Sequence, residues 1–231
     1  MVAAAKEHGR LLTVDHNNRF DPIIQRALKR IKKGRIGGLV SADIFHGSLP
    51  PEAPWVSRLP SGDWFNDVDH LFYLSECFLG AVQGVKAIGM PGTNGRVAEL
   101  HVAACNELGL SSLTYSTLTS PFEIRLVLRG LKGVIEIDLL PATLIERHTN
   151  NWHRWLRKGI MNLGVAGQLV AQTGVNTVRV LSGRERGWGG LRGLLDLYYA
   201  AIRTKDESPV TMETCLRIVE LKEDIIRQLQ A

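Results

Sequence analysis

The chain has few of the features that would assign it at a glance. It holds only three cysteines in 231 residues: Cys77, Cys105 and Cys215 lie far apart with no CxxC pair. That spacing argues against a zinc knuckle, a dithiol redox motif or a disulfide framework. Each cysteine sits in an apolar-patterned stretch, so all three are expected to be buried free thiols in a reducing compartment, the cytoplasm. No apolar run is long enough to span a bilayer, and Met1 to Gly9 lacks the greasy centre of a signal peptide. The loop Gly89 to Gly95 has glycines but no GK[ST], which excludes a phosphate loop. Gly187 to Gly193 misses GxGxxG by one position, with Arg192 where the third glycine belongs. There is no internal repeat.

What is present is ordinary soluble composition, 45% hydrophobic and 22% charged, in a length that suits one large domain. The net charge of +5 is spread along the chain rather than concentrated. Lys29, Arg30, Lys32, Lys33 and Arg35 do cluster, but at the last turn of a helix, where cations complement the dipole. No aromatic residues are interleaved with them, so they read as a solvated face and not as a nucleic-acid patch.

The stretch that organises the rest is Asp63-Trp64-Phe65-Asn66-Asp67-Val68-Asp69-His70 and the apolar run after it, which Gly80 closes. Val68, Leu71, Phe72, Ser75, Phe78 and Leu79 recur at helical spacing. Asp67 and Asp69 alone could be capping acids. His70 adds a titratable ring at the mouth of that helix, with Asn66 one turn earlier on the same face. A half-buried histidine beside capping acids is the plain alternative.

Before this helix the spacing predicts a short helix over Val2 to His8, a buried-type strand Leu11 to Val14, and a polar loop His16 to Phe20. Asp21-Pro22 then starts a helix whose apolar face is Ile23, Ile24, Ala27, Leu28 and Ile31. Strands follow at Gly37 to Phe45 and Val82 to Ile88. Val97 to Cys105 with Leu110 to Leu118, and Glu123 to Leu128 with Val134 to Leu139, form two hairpins, and Thr143 to His148 adds a strand. Short turns between successive strands imply an open, largely antiparallel α+β sheet with helices on one face, preceded by a remnant helix–strand unit. Leu194 to Arg203 and the stretch after Ser208-Pro209-Val210-Thr211 are helical.

Taken in order, several motifs resemble the Gfo/Idh/MocA oxidoreductases. They are Gly-Arg-Leu-Leu-Thr-Val at 9–14, His-Asn-Asn-Arg-Phe-Asp-Pro at 16–22, the Asn66-x-x-x-His70 helix, the turn Gly130 to Glu136 and the closing Pro209-Val210-Thr211 helix. The resemblance covers about residues 1–148 and 191–231. It implies an NAD(P)-dependent enzyme acting on a sugar, sugar-derivative or cyclitol hydroxyl, with His70 as catalytic histidine and Asn66 where many members carry aspartate. Arg19, Asp67 and Asp69 are the further candidates for substrate binding and for charge near His70.

The family's glycine-rich fingerprint and its Glu-Lys-Pro lysine do not occur in this sequence. The resemblance therefore implies that residues 1–18 are the remnant of a dinucleotide-binding domain, and 19–231 a C-terminal substrate-binding and oligomerisation domain. On that reading this chain alone binds no NAD(P) and no metal, and it is inert for hydride transfer. It associates with itself through the sheet face. The segment 149–193 has no counterpart in the resemblance; Trp152, Trp155, Arg154, Arg157 and Lys158 make it either a helix covering the sheet or joining subunits, or a surface-lying segment at anionic lipid. The competing class is a non-catalytic dimerisation or binding module of the same fold, lying at a membrane surface through 149–183.

Overall fold

The structure, a computed structural model, describes residues 1–48, 67–92, 96–148, 153–183, 187 and 189–230, and of 154–158 the backbone only. Helix α1 (Val2–Glu7) leads through a 3-10 turn (Asn17–Phe20) to α2 (Pro22–Lys32) and strand β1 (Leu39–Gly47). Helix α3 (Asp69–Leu79) follows, and then β2 (Val82–Pro91), β3 (Val97–Asn106), β4 (Gly109–Ser116), β5 (Glu123–Gly130), β6 (Gly133–Asp138) and β7 (Thr143–His148). Three helices close the chain: α4 (Arg154–Leu181), α5 (Gly189–Thr204) and α6 (Met212–Gln230).

Local signals account for the helix ends. The Asp21 carboxylate accepts from the Ile23 backbone N–H at 2.9 Å, Pro22 fills the first helical position, and Gly34 at φ +70° releases the chain from α2. Gly80, at φ +79°, ends α3. Seven strands form one sheet in the order β2-β3-β4-β1-β5-β6-β7, antiparallel throughout except for the β1–β4 pair. Strand period then sorts the side chains. Ala42, Ile44, Leu100, Val102, Leu113, Leu126, Leu128 and Ile135 face a core that Leu71, Phe72, Leu74 and Leu79 of α3 and Ile23, Ile24 and Ala27 of α2 complete.

The opposite face differs from a bare apolar surface. Asp43 pairs with Arg129, Arg125 with Asp138 at 3.5 Å, and Arg147 with Glu136 at 2.5 Å across neighbouring strands. Exposed apolar side chains on the β2–β4 side include Ile88, Met90 and Leu110. Cys105 is exposed on this same face, which corrects the expectation that all three thiols are buried.

Both sheet edges are covered by amide side chains. Gln172 accepts from the Leu144 N–H at 2.8 Å and donates to the Leu144 carbonyl at 2.7 Å. Gln168 does the same to Glu146 at 2.9 and 3.0 Å, and Asn176 donates to the Pro141 and Ala142 carbonyls. The registers agree: four residues of helix rise ~6 Å, and two residues of strand ~6.8 Å. At the far edge Gln228 of α6 accepts from Ala87 N–H at 3.0 Å and donates to the Val85 carbonyl at 3.1 Å. An edge strand left bare would be a template for pairing with another chain.

Two expectations are corrected here. Leu11 to Val14 joins none of the seven strands; instead its Leu11 carbonyl accepts from the Tyr198 hydroxyl at 2.9 Å, which ties it to α5. Within the 149–193 segment, α4 runs along the edge strand β7 and not over the open sheet face. Trp152 and the side chains of Arg154, Trp155, Arg157 and Lys158 lie outside the described residues. Among the described residues no helix is long and apolar enough to cross a membrane.

Candidate functional site

The one parallel strand pair among the described residues fixes where side chains can converge. β1 and β4 lie side by side in the middle of the sheet and end together, at Gly47 and Ser116. Grooves beyond the carboxyl ends of parallel strands are common ligand sites, because the chain leaves in different directions there. His46 and Ser48 sit at the end of β1, Tyr115 at the end of β4, and the start of α3 brings Asp67 and His70. His46, Ser48, Asp67 and His70 border a cavity of about 1070 Å³, closed on other sides by the Asn17–Asn18 turn, α2 and α4.

Tyr73, one turn beyond His70 on α3, is the hub. Its hydroxyl lies 2.5 Å from His70 Nδ1 and 3.3 Å from both the Asn17 Oδ1 and the Asn18 backbone N–H. Asn17 Oδ1 can only accept and the Asn18 N–H can only donate. With the Tyr73 proton directed to Asn17, His70 Nδ1–H donates to the Tyr73 oxygen. That tautomer leaves Nε2 as the basic nitrogen, and it makes no hydrogen bond among the described residues.

Three histidine rings gather here from three elements. His16 stacks on Tyr73 with ring centroids 4.6 Å apart, and His46 lies 5.3 Å from His70 and edge-on to Tyr115 and Phe122. Burial disfavours the charged rings, lowering the pKa of His16 to about 4 and of His46 to about 3. Burial lowers His70 as well, opposed by the charges of Asp67, Asp69 and Asp15. At neutral pH His70 is thus a neutral imidazole, ready to take a proton. Burial also raises the Tyr73 hydroxyl well above its ordinary value, so it stays protonated.

The candidate residues separate in space. His70 and Asp67 both border the cavity, and Asp67 Oδ2 accepts from Tyr115 Oη at 3.3 Å and Ser48 Oγ at 3.4 Å. Asp69 turns the other way, to Lys222 of α6 at 2.7 Å. Arg19 does not line the cavity; its guanidinium lies beside the Cys77 thiol. Asn66 lies outside the described residues. Pattern reading missed Tyr73, His46 and His16. Tyr73 could have been found from its i+3 spacing to His70, whereas the other two come from distant elements.

The near-miss glycine stretch has a packing role. A Cβ on Gly190 would lie 2.4 Å from the Asn17 carbonyl oxygen, and one on Gly193 would lie 3.0 Å from that of Phe20. These glycines let α5 press against the 3-10 turn that carries Asn17, so the backbone approach that could cradle a pyrophosphate is taken by protein. The described residues include no cluster of histidines, cysteines or carboxylates able to hold a metal ion.

No sequence family and no curated protein matches the chain by sequence. Solved structures do match by fold. The WlbA dehydrogenase from Bordetella pertussis, in complex with NADH and UDP-GlcNAcA, superposes on 99% of this chain and 65% of its own with a TM-score of 0.69 at 20% identity. A probable dehydrogenase from Thermotoga maritima covers 99% and 66%, with a TM-score of 0.72 at 17% identity. The UDP-N-acetylglucosamine 3-dehydrogenase GnnA from Acidithiobacillus ferrooxidans covers 99% and 64%, with a TM-score of 0.64 at 13% identity. The chain spans just under two thirds of the length of these structures. At 20% identity or less these likenesses are of fold: the chain shares the α+β architecture of the matching part of these dehydrogenases.

Proposed function

We propose that this chain is the substrate-binding portion of an NAD(P)-dependent oxidoreductase acting on a hydroxyl of a sugar, sugar derivative or cyclitol, with His70 as the proton acceptor. The observation that carries the reading is His70 itself: a neutral imidazole at a cavity wall, its Nδ1 held 2.5 Å from Tyr73 and its Nε2 available. Oxidising a hydroxyl removes a proton and a hydride. This chain supplies the group for the proton. Asp67 and Ser48 offer acceptors and donors for neighbouring sugar hydroxyls, and Phe122 supplies an apolar wall. Asn66 is assigned to orient the His70 ring, and Asp69 acts through charge on that ring from its place beside Lys222. Arg19 acts only through its neighbours.

The nicotinamide belongs, on this reading, to the part of the solved relatives that this chain does not span. Residues 1–18 go with that part, and 19–231 form the substrate domain, with 149–193 as its own addition. By itself the chain is then inert for hydride transfer. The second reading, a binding or dimerisation module without catalysis, draws on the ion-paired open sheet face.

The test is the ring nitrogen resonance of His70 during titration with UDP-N-acetylglucosamine, glucose and inositol. A saturable shift at Nε2 with one of them supports a substrate site. Unmoved His70 resonances with all three, at concentrations that saturate other signals, reject it.

A further inference from the structure

The cavity has a second polar end that the chemistry at His70 does not use. Arg26 of α2 and Arg179 of α4 both line it. The first is partly buried; its Nη2 donates to Gln172 at 2.9 Å, and its Nε is buried with no hydrogen-bond partner. An unmet buried donor on a cation is costly unless a ligand or ion completes it. Neither arginine has a carboxylate partner among the described residues. Their neighbours show what a satisfied arginine looks like here: Arg30 and Arg35 both close on Glu146, at 2.5 and 2.9 Å. Asp21 also lines the cavity, but its carboxylate caps α2.

Two unpaired guanidinium groups on one cavity repel each other, and burial together with the charges of Arg30 and Arg179 holds the Arg26 pKa below its ordinary value. Folding tolerates such a pair best where an anion comes between them, and the planar fork of arginine matches a phosphate or a carboxylate. Position adds a length. Gln172, which holds Arg26, is bonded to β7, while Ser48 and His46 stand at the end of β1. β7 is three strands from β1 in the sheet, ~14 Å at ordinary spacing. One sugar ring does not bridge that distance, but a sugar with an extended charged substituent does.

We propose that Arg26 and Arg179 form an anion subsite, which takes the phosphate or carboxylate of a substrate whose sugar ring lies at His70. The inference rests on the functional reading above and narrows it: the substrate is an anionic sugar derivative, and neutral sugars and cyclitols are poor ligands.

The test is calorimetric titration of the full chain with UDP-N-acetylglucosamine, glucose 1-phosphate, glucuronate and glucose. At least one anionic probe should bind tenfold or more tightly than glucose, and which one does so separates phosphate from carboxylate. Arg179→Gln, at an exposed position where folding is not at stake, and Arg26→Gln should each weaken that probe about tenfold, the loss of one charge-assisted contact. Arg179→Lys should recover part of the loss. Arg147→Gln, on the open sheet face, should leave binding unchanged. No saturable binding of any anionic probe overturns the subsite, as do equal affinities in the wild type and the Arg26→Gln/Arg179→Gln double variant, or equal weakening by Arg147→Gln. His70→Ala should keep the anion affinity within about threefold. Loss of arginine dependence therefore rejects the subsite alone and leaves the role of His70 to its own test.

Discussion

The Tyr73 hydroxyl stands 2.5 Å from Nδ1 of His70, three residues back on the same helix, and that contact sets which nitrogen of His70 is basic. Removing the hydroxyl frees Nδ1. In Tyr73→Phe the His70 ring should move away from the Nδ1–H tautomer toward Nε2–H, visible in its ¹⁵N shifts. The stability cost should be about 1 kcal/mol, that of one hydrogen bond. An unchanged tautomer would mean that Tyr73 merely fills space.

His16 and His46 predict a definite acid response. Their folded pKa values, about 4 and about 3, lie below the unfolded value of 6.5. Between those limits the unfolded chain binds more protons than the folded one, so stability is full above pH 6.5 and falls as pH drops toward 4. From pH 7 to pH 5 the two rings together should remove about 4 kcal/mol. Denaturant melts at the two pH values measure it, and His46→Leu should flatten the slope by about half.

Gln172→Ala should cost about 2 kcal/mol, because it leaves the Leu144 N–H and carbonyl without partners at the sheet edge and releases Arg26. It should also raise concentration-dependent association, as a bare edge strand does. Chemical denaturation reads the first effect and light scattering the second.

The open sheet face carries cross-strand ion pairs such as Asp43 with Arg129. We expect the wild-type chain to self-associate there, weakening as salt screens the charges. Light scattering over a wide concentration range, at low and high salt, tests this. A strict monomer throughout would contradict it.

Much of the fold is legible in the sequence because its signals are local. The Asp21-Pro22 start, the Gly34 and Gly80 stops and the two hairpins need only neighbouring residues to be read. The parallel pairing of β1 with β4 is not local, and it decides where the site lies. The glutamine clamps are equally hidden: Gln168 and Gln172 read as solvated polar residues until β7 is seen beside them. The ionic character of the open face depends on partners such as Asp43 and Arg129, which are 86 residues apart. At the site, His70 stood out as a polar residue in an apolar helix. His16 and His46 did not, because their setting is made by elements far away in the chain.

The most direct test of the account is turnover with the chain joined downstream of a dinucleotide-binding domain from a solved relative. Nicotinamide reduction would be followed with UDP-N-acetylglucosamine and glucose 1-phosphate. The account predicts oxidation by the joined protein. His70→Ala should lower it by two to four orders of magnitude, about the contribution of a general base, with the melting temperature nearly unchanged. Turnover intact in His70→Ala, or a collapse of stability in its place, would return His70 to a purely structural role and contradict the account.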